Sequence, residues 1–102
     1  MLGLVEDKLV ELERLCAAFG VRQLELFGSA VSDEFEAGSS DLDFLVDFEP
    51  MEPREYAAAY FGLRESLAKL YGQPIDLVVA ASIENPYFLR GIEPSRTVLY
   101  AA

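Results

Sequence analysis

Three aspartates carry the chemistry that this sequence offers. Asp41 and Asp43 stand in a run, Asp41 to Phe48, in which Leu42, Phe44, Val46 and Phe48 alternate with Asp41, Asp43, Leu45 and Asp47. That period of two predicts a β-strand with both carboxylates on one face, their Cα atoms roughly 6.5 to 7 Å apart. Oxygens from both can then reach one cation. Two ionised carboxylates this close raise each other's pKa unless a positive charge intervenes, and the stretch Asp33 to Met51 holds no Lys or Arg. A divalent metal is the natural partner. Oxygen-only ligation with open positions suits Mg²⁺, which keeps several waters and bridges carboxylates to substrate phosphates. Asp76 lies in a second short run, Ile75-Asp76-Leu77-Val78-Val79. If that strand pairs beside the first, Asp76 joins the site, either to ligate a second metal or to take a proton from an attacking hydroxyl.

Upstream, Gly28-Ser29 closes the run Val21 to Phe27. Glycine there allows close backbone approach, and turn amides with a serine hydroxyl can hold phosphate oxygens. The sequence has neither three spaced glycines of the dinucleotide-binding type nor a Gly-Lys-Ser/Thr phosphate loop. Asp33, Glu34, Glu36 and Asp47 read as solvated acids.

Composition narrows the choice further. With 8 Lys+Arg against 18 Asp+Glu, the formal charge of the 102-residue chain is −10. A surface that acidic repels phosphate backbones, which argues against a nucleic-acid partner. Histidine is absent, which excludes Ser-His-Asp and Cys-His triads and His-ligated zinc. The lone Cys16 cannot close an intrachain disulfide and sits on an apolar stripe, where it reads as core. No apolar run approaches a membrane span, and Glu6, Asp7 and Glu11 occupy positions where a signal peptide is basic and then apolar. The expectation is a cytoplasmic protein with no membrane partner.

The elements that must position the acids follow from periodicity. Leu2, Val5, Leu9, Leu12, Cys16 and Phe19 predict one amphipathic helix stopped at Gly20. Val21 to Phe27 reads as a strand, with Gln23 and Glu25 on the face opposite Leu24 and Leu26. Pro50 and Pro53 open a helix whose stripe is Tyr56, Tyr60, Leu63, Leu67 and Leu70, with Gly72 after its end and Glu65 and Lys69 paired on its wet side. Ile75 to Val79 reads as a buried strand, Asn85-Pro86 as a helix start, Gly91 as its stop, and Thr97 to Tyr100 as a last strand. The segment between Phe48 and Ile75 is long enough for a crossover between parallel strands. The fold class is therefore α/β or α+β, a single domain over residues 1–102 with a small mixed sheet flanked by helices.

Taken in order, Leu26-Phe27-Gly28-Ser29, Ser40-Asp41-Leu42-Asp43-Phe44-Leu45-Val46 and Ile75-Asp76-Leu77-Val78 resemble the minimal nucleotidyltransferases (MNT) of the DNA polymerase beta-like superfamily. The resemblance runs from about Val21 to Val79, and Val98-Leu99-Tyr100 is similar to the ends of such domains. It implies Gly28 and Ser29 at the triphosphate of ATP, Asp41 and Asp43 holding magnesium, and Asp76 completing the triad around two Mg²⁺ ions. The implied chemistry is transfer of a nucleoside monophosphate to a hydroxyl with release of pyrophosphate. Proteins of this size resemble the antitoxin halves of HEPN–MNT toxin–antitoxin pairs, which transfer AMP to a tyrosine of a HEPN-type ribonuclease. The resemblance thus implies a hetero-oligomer with a HEPN toxin, and Tyr56, Tyr60, Phe61, Tyr87 and Phe88 could furnish the contact surface. Ala30-Val31-Ser32 stands where the family carries a small-Arg-Gly stretch, and the nearest cations in sequence are Arg22 and Arg54. The intact acids imply an enzyme; the alternative is an antitoxin of the same fold that masks its toxin stoichiometrically.

Overall fold

The alternating runs become strands at the predicted places. A computed structural model describes residues 3–28, 41–82, 87, 90, 91 and 96–102. Within them lie strands β1 (Val21–Phe27), β2 (Leu42–Phe48), β3 (Ile75–Val79) and β4 (Thr97–Ala101), and helices α1 (Gly3–Glu6), α2 (Leu9–Ala18) and α3 (Pro53–Tyr71). A 3-10 turn at Ala80–Ser82 follows β3.

The strands form one mixed sheet in the order β3-β2-β1-β4. β1 is antiparallel to both β2 and β4, whereas β2 and β3 are parallel. The parallel pair needs a crossover, and the 19-residue helix α3 supplies it. α3 starts with Pro53 at its first position and stops at Gly72, whose φ of +62° is left-handed.

One face of the sheet meets the helices. Leu24 and Leu26 of β1, Leu42, Phe44, Val46 and Phe48 of β2 and Leu77 of β3 pack with Leu12 and Cys16 of α2 and with Ala59, Leu63, Leu67 and Tyr71 of α3. Most of these are fully buried, so truncating one of the leucines to alanine should cost about 2–5 kcal/mol. Phe19 lies against α3 at Gly62, where an added Cβ would stand 2.5 Å from the ring. Cys16 is core, and burial, then Glu13, pushes its thiol up to about 12, so it is chemically inert at neutral pH.

Three expectations need correction. The N-terminal stripe is not one helix: Lys8, at φ −123° and ψ 24°, interrupts it, and α2 restarts where the Leu12 amide donates to the Lys8 carbonyl at 2.9 Å. The break leaves Val5 buried with Leu12 and Cys16. The stripe of α3 is centred on Ala59, Leu63, Leu67 and Tyr71, a spacing of four, so Tyr56 and Tyr60 lie on its margin. Tyr56 instead meets the Phe48 ring edge-on at 5.1 Å, and the Tyr60 hydroxyl donates to the Leu77 carbonyl at 2.7 Å. Lastly, β3 is an edge strand in which only Leu77 is buried. Ile75, Leu77 and Val79 share the face that meets the core, and at the margin of the sheet Ile75 and Val79 are covered only in part.

The proposed helix start at Asn85-Pro86 lies outside the described residues, and Gly91, expected to stop that helix, is itself helical. Among the described residues no helix is long and apolar enough to cross a membrane.

Candidate active site

Strand pairing decides which acids meet. In the parallel pair, Leu42 stands opposite Ile75, Asp43 opposite Asp76 and Phe44 opposite Leu77. Asp43 and Asp76 are therefore register neighbours, with backbones about 4.8 Å apart. Side chains alternate, so both leave the face opposite the helical core. Asp41 precedes β2 by one residue and is two positions from Asp43, which assigns it to the same face. The adjacent pairing on which Asp76 depends is present.

Gly28 closes the third side. It follows β1, adopts a φ of +76°, and an added Cβ would lie 2.5 Å from the Asp43 carboxylate oxygen Oδ2. Both the left-handed backbone and the close approach exclude a side chain here. Phe27, the preceding residue, pairs with Asp43 across β1 and β2. Ser29, the other expected phosphate-binding residue, lies outside the described residues.

The electrostatics of the cluster are those of an uncompensated site. Partial burial, then the Asp76 carboxylate, then that of Asp41, pushes Asp43 up from 3.8 to about 6. Each cause disfavours the charged form. A hard cation among these oxygens would reverse the two charge effects, and carboxylates are the ligand type that Mg²⁺ prefers. In donor chemistry and charge the cluster suits such an ion. The three acids do not converge into a ready-made cage: among the described residues no group of three acids is placed to hold one metal ion.

Neither cation nearest in sequence enters this site. Arg22 reaches the far end of β2, where its Nε and Nη2 donate to Asp47 Oδ2 at 3.0 and 2.7 Å. Asp47, read as solvated, is thus an ion-pair partner. Sequence reasoning missed a second pair. Glu25, on the face opposite Leu24 and Leu26 as the alternation predicts, is only 7% exposed, and the Arg96 guanidinium grips it, Nε donating to Oε1 at 3.2 Å and Nη2 to Oε2 at 2.8 Å. A charge in the middle of a strand of Leu and Phe was the available signal, because it needs a partner once buried. Its partner, 71 residues away, has no local pattern to announce it.

Comparison with known proteins bears on the family and the fold. The nucleotidyltransferase domain family matches residues 11–99. The chain belongs to that family. Its chemistry is nucleotidyl transfer, and the acids just described lie inside the matched segment. A relative from Methanocaldococcus jannaschii, provisionally named a protein adenylyltransferase, is 36% identical over 75 residues, 74% of this chain and 72% of the relative. A solved structure provisionally titled a minimal nucleotidyltransferase superposes with a TM-score of 0.73 at 24% identity, covering 91% of this chain and 90% of that one. A chain from the complex of a tri-AMPylated Shewanella oneidensis HEPN toxin with its MNT antitoxin superposes with a TM-score of 0.61 at 22% identity, over 100% of this chain and 74% of its own length. The resemblance read from Gly28, Asp41, Asp43 and Asp76 names the right family, and the mixed sheet is its fold.

Proposed function

We propose that this nucleotidyltransferase is an antitoxin that transfers AMP from ATP to a hydroxyl, a tyrosine in the first instance, of a HEPN-type ribonuclease toxin, and so silences it. The observation that carries the reading is the in-register pair Asp43 and Asp76 against the bare backbone of Gly28. Support for a protein acceptor and a toxin partner comes from the adenylyltransferase relative and from the antitoxin complex of similar fold. Asp41, Asp43 and Asp76 would hold Mg²⁺, whose contribution is to neutralise charge on the attacking and leaving oxygens of an in-line displacement.

The chain's own residues divide the remaining work. Gly28 lets the end of β1 pass directly against the Asp43 carboxylate, an approach that a side chain would disturb. Asp76, exposed at the sheet edge, stands where an acceptor hydroxyl can approach from outside and lose its proton to a carboxylate. Phe61 and Tyr87, 61% and 74% exposed, are the members of the expected aromatic surface that face solvent among the described residues, Tyr87 with the Arg90 guanidinium over its ring. Tyr56 and Tyr60 are committed to packing, and Phe88 lies outside the described residues.

The test is intact-mass measurement of the protein encoded by the neighbouring gene after co-expression with this chain or with its Asp43→Asn variant. Added mass in steps of one adenylyl group, with wild type alone, is the expected result. A stable complex without added mass would overturn the enzymatic reading and leave an antitoxin acting by occupancy.

A further inference from the structure

The acid-bearing face of the sheet carries an arginine in the same transverse row as the acids. Thr97 opens β4 opposite Leu26, so Arg96, one residue earlier, enters the sheet beside Phe27. Phe27 is opposite Asp43, and Asp43 is opposite Asp76. Read across the strands, the row is Asp76, Asp43, Phe27, Arg96. Arg96 starts about 10 Å from Asp43, two strand spacings away. Its face is fixed by its partner: Glu25 pairs with Leu45, and Leu45 is two residues from Asp43 on β2. The two-pronged grip on Glu25 holds the guanidinium over that face, against a cavity of about 120 Å³ that runs toward the far end of β2 and is lined by Gln23, Glu25, Leu45, Asp47, Ala80 and Arg96.

We propose that Arg96, held in place by Glu25, binds the phosphates of the nucleotide donor. The inference rests on the reading of this site as one that takes ATP. A polyphosphate brings several negative charges to a face where, among the described residues, Asp41, Asp43 and Asp76 make no ion pair. Arg22 is engaged at the far end of β2 with Asp47, and Arg54 lies in the first turn of α3, which packs on the opposite face. Arg96 starts on the side of the acids, level with their row, one residue before the Thr97 that pairs with Leu26. A guanidinium matches phosphate oxygens with the same planar fork that it presents to a carboxylate. Glu25 is the aligning group: with its carboxylate sunk between β2 and β4, it lowers the freedom that the arginine would otherwise lose on binding.

The experiment is calorimetric titration of ATP with Mg²⁺, and separately of inorganic tripolyphosphate with Mg²⁺, into wild type, Arg96→Gln, Arg22→Gln and the charge-exchanged Glu25→Arg/Arg96→Glu protein, with Tm recorded for each. Arg96→Gln should weaken both ligands about ten- to hundredfold, the range of a charge-assisted hydrogen bond. Arg22→Gln, which removes the same charge at the far end, should leave both affinities near wild type. The exchanged protein restores the ion pair two residues further from the row, so its Tm should recover from that of Arg96→Gln while its affinities do not. Wild-type affinity in Arg96→Gln, equal losses in Arg22→Gln, or recovery of affinity together with Tm in the exchanged protein would each overturn the proposal, the last by reducing the pair to a brace for β4. Failure of wild type to bind ATP would instead remove the donor reading on which the inference stands.

Discussion

Two ends of one sheet face treat the same residue type in opposite ways. At the far end of β2, Asp47 is paired with Arg22, and midway along β1 the buried Glu25 is paired with Arg96. At the near end, the described charges that act on Asp43 are those of Asp76 and Asp41, and its proton is correspondingly hard to remove. Folding alone favours the first arrangement, because a carboxylate among carboxylates costs free energy with no structural return. On the proposed reading, the second persists because a ligand of opposite charge supplies the missing compensation. The contrast then separates acids that hold this protein together from acids that bind.

The largest effect that would test this contrast is on activity. Asp43→Asn should lower adenylyl transfer by at least about a hundredfold, the scale for losing one element of preorganised charge stabilisation. The same change should not cost stability. It removes a carboxylate that burial and two like charges oppose, so without divalent cation the Tm should rise by a few degrees. The full shift to about 6 would correspond to about 3 kcal/mol, reduced by solvent around the half-buried group to about 1 kcal/mol. A fall in Tm would place Asp43 among the structural acids.

Arg96→Leu should behave in the reverse sense. It leaves the Glu25 carboxylate buried and unpaired, at a cost of about 3 kcal/mol, the low end for a broken buried pair because Arg96 keeps some contact with water. Glu25→Leu/Arg96→Leu should regain most of that loss, since an apolar pair needs no compensation. Urea denaturation of the three proteins measures both numbers. Gly28→Ala should cost about 1 kcal/mol or more through its left-handed backbone and should also impair transfer through the collision with Asp43. Circular dichroism and the co-expression assay report the two losses separately.

Stability against pH sharpens the comparison from another side. Asp43 holds its proton more tightly folded than unfolded, so between 3.8 and about 6 the folded chain binds more protons. Its contribution is fully present below that window and is lost as pH rises through it. Wild type without divalent cation should therefore show a declining stability contribution between about pH 4 and 6 that Asp43→Asn lacks. The smallest effect belongs to Arg22→Ala: its pair with Asp47 is exposed, and little change in Tm is expected, less still in high salt.

How much of this was legible in the sequence follows from the range over which each signal acts. Period-two alternation marked Val21–Phe27 and Leu42–Phe48 as strands, and Pro53 and Gly72 bracketed α3, because those signals are local. The pairing of Asp43 with Asp76 could be framed only as a condition, since register is set by how α3 lays β3 against β2. The same limit hid the Glu25–Arg96 pair, whose halves meet only when β4 closes the sheet beside β1. Burial of β3 was overread, because an apolar β-branched run looks alike at an edge and in the centre. The interruption at Lys8 left no mark, as Asp7-Lys8 fits the polar side of a continuous helix.

The parallel pairing of β2 with β3 also bears on when the protein becomes competent. β1 and β2 are consecutive, whereas the second acid arrives on a strand that the chain reaches only after the 19 residues of α3. Non-local parallel contacts form slowly, because loop closure must precede the contacts that reward it. A chain that has made its first two strands therefore has Asp41 and Asp43 but not the Asp43–Asp76 pair. Asp76 joins them only once the helix has docked and carried β3 back alongside. On the proposed reading of the site, an unfinished or partly unravelled molecule is an inactive one, and the step that completes the sheet is the step that switches on its chemistry.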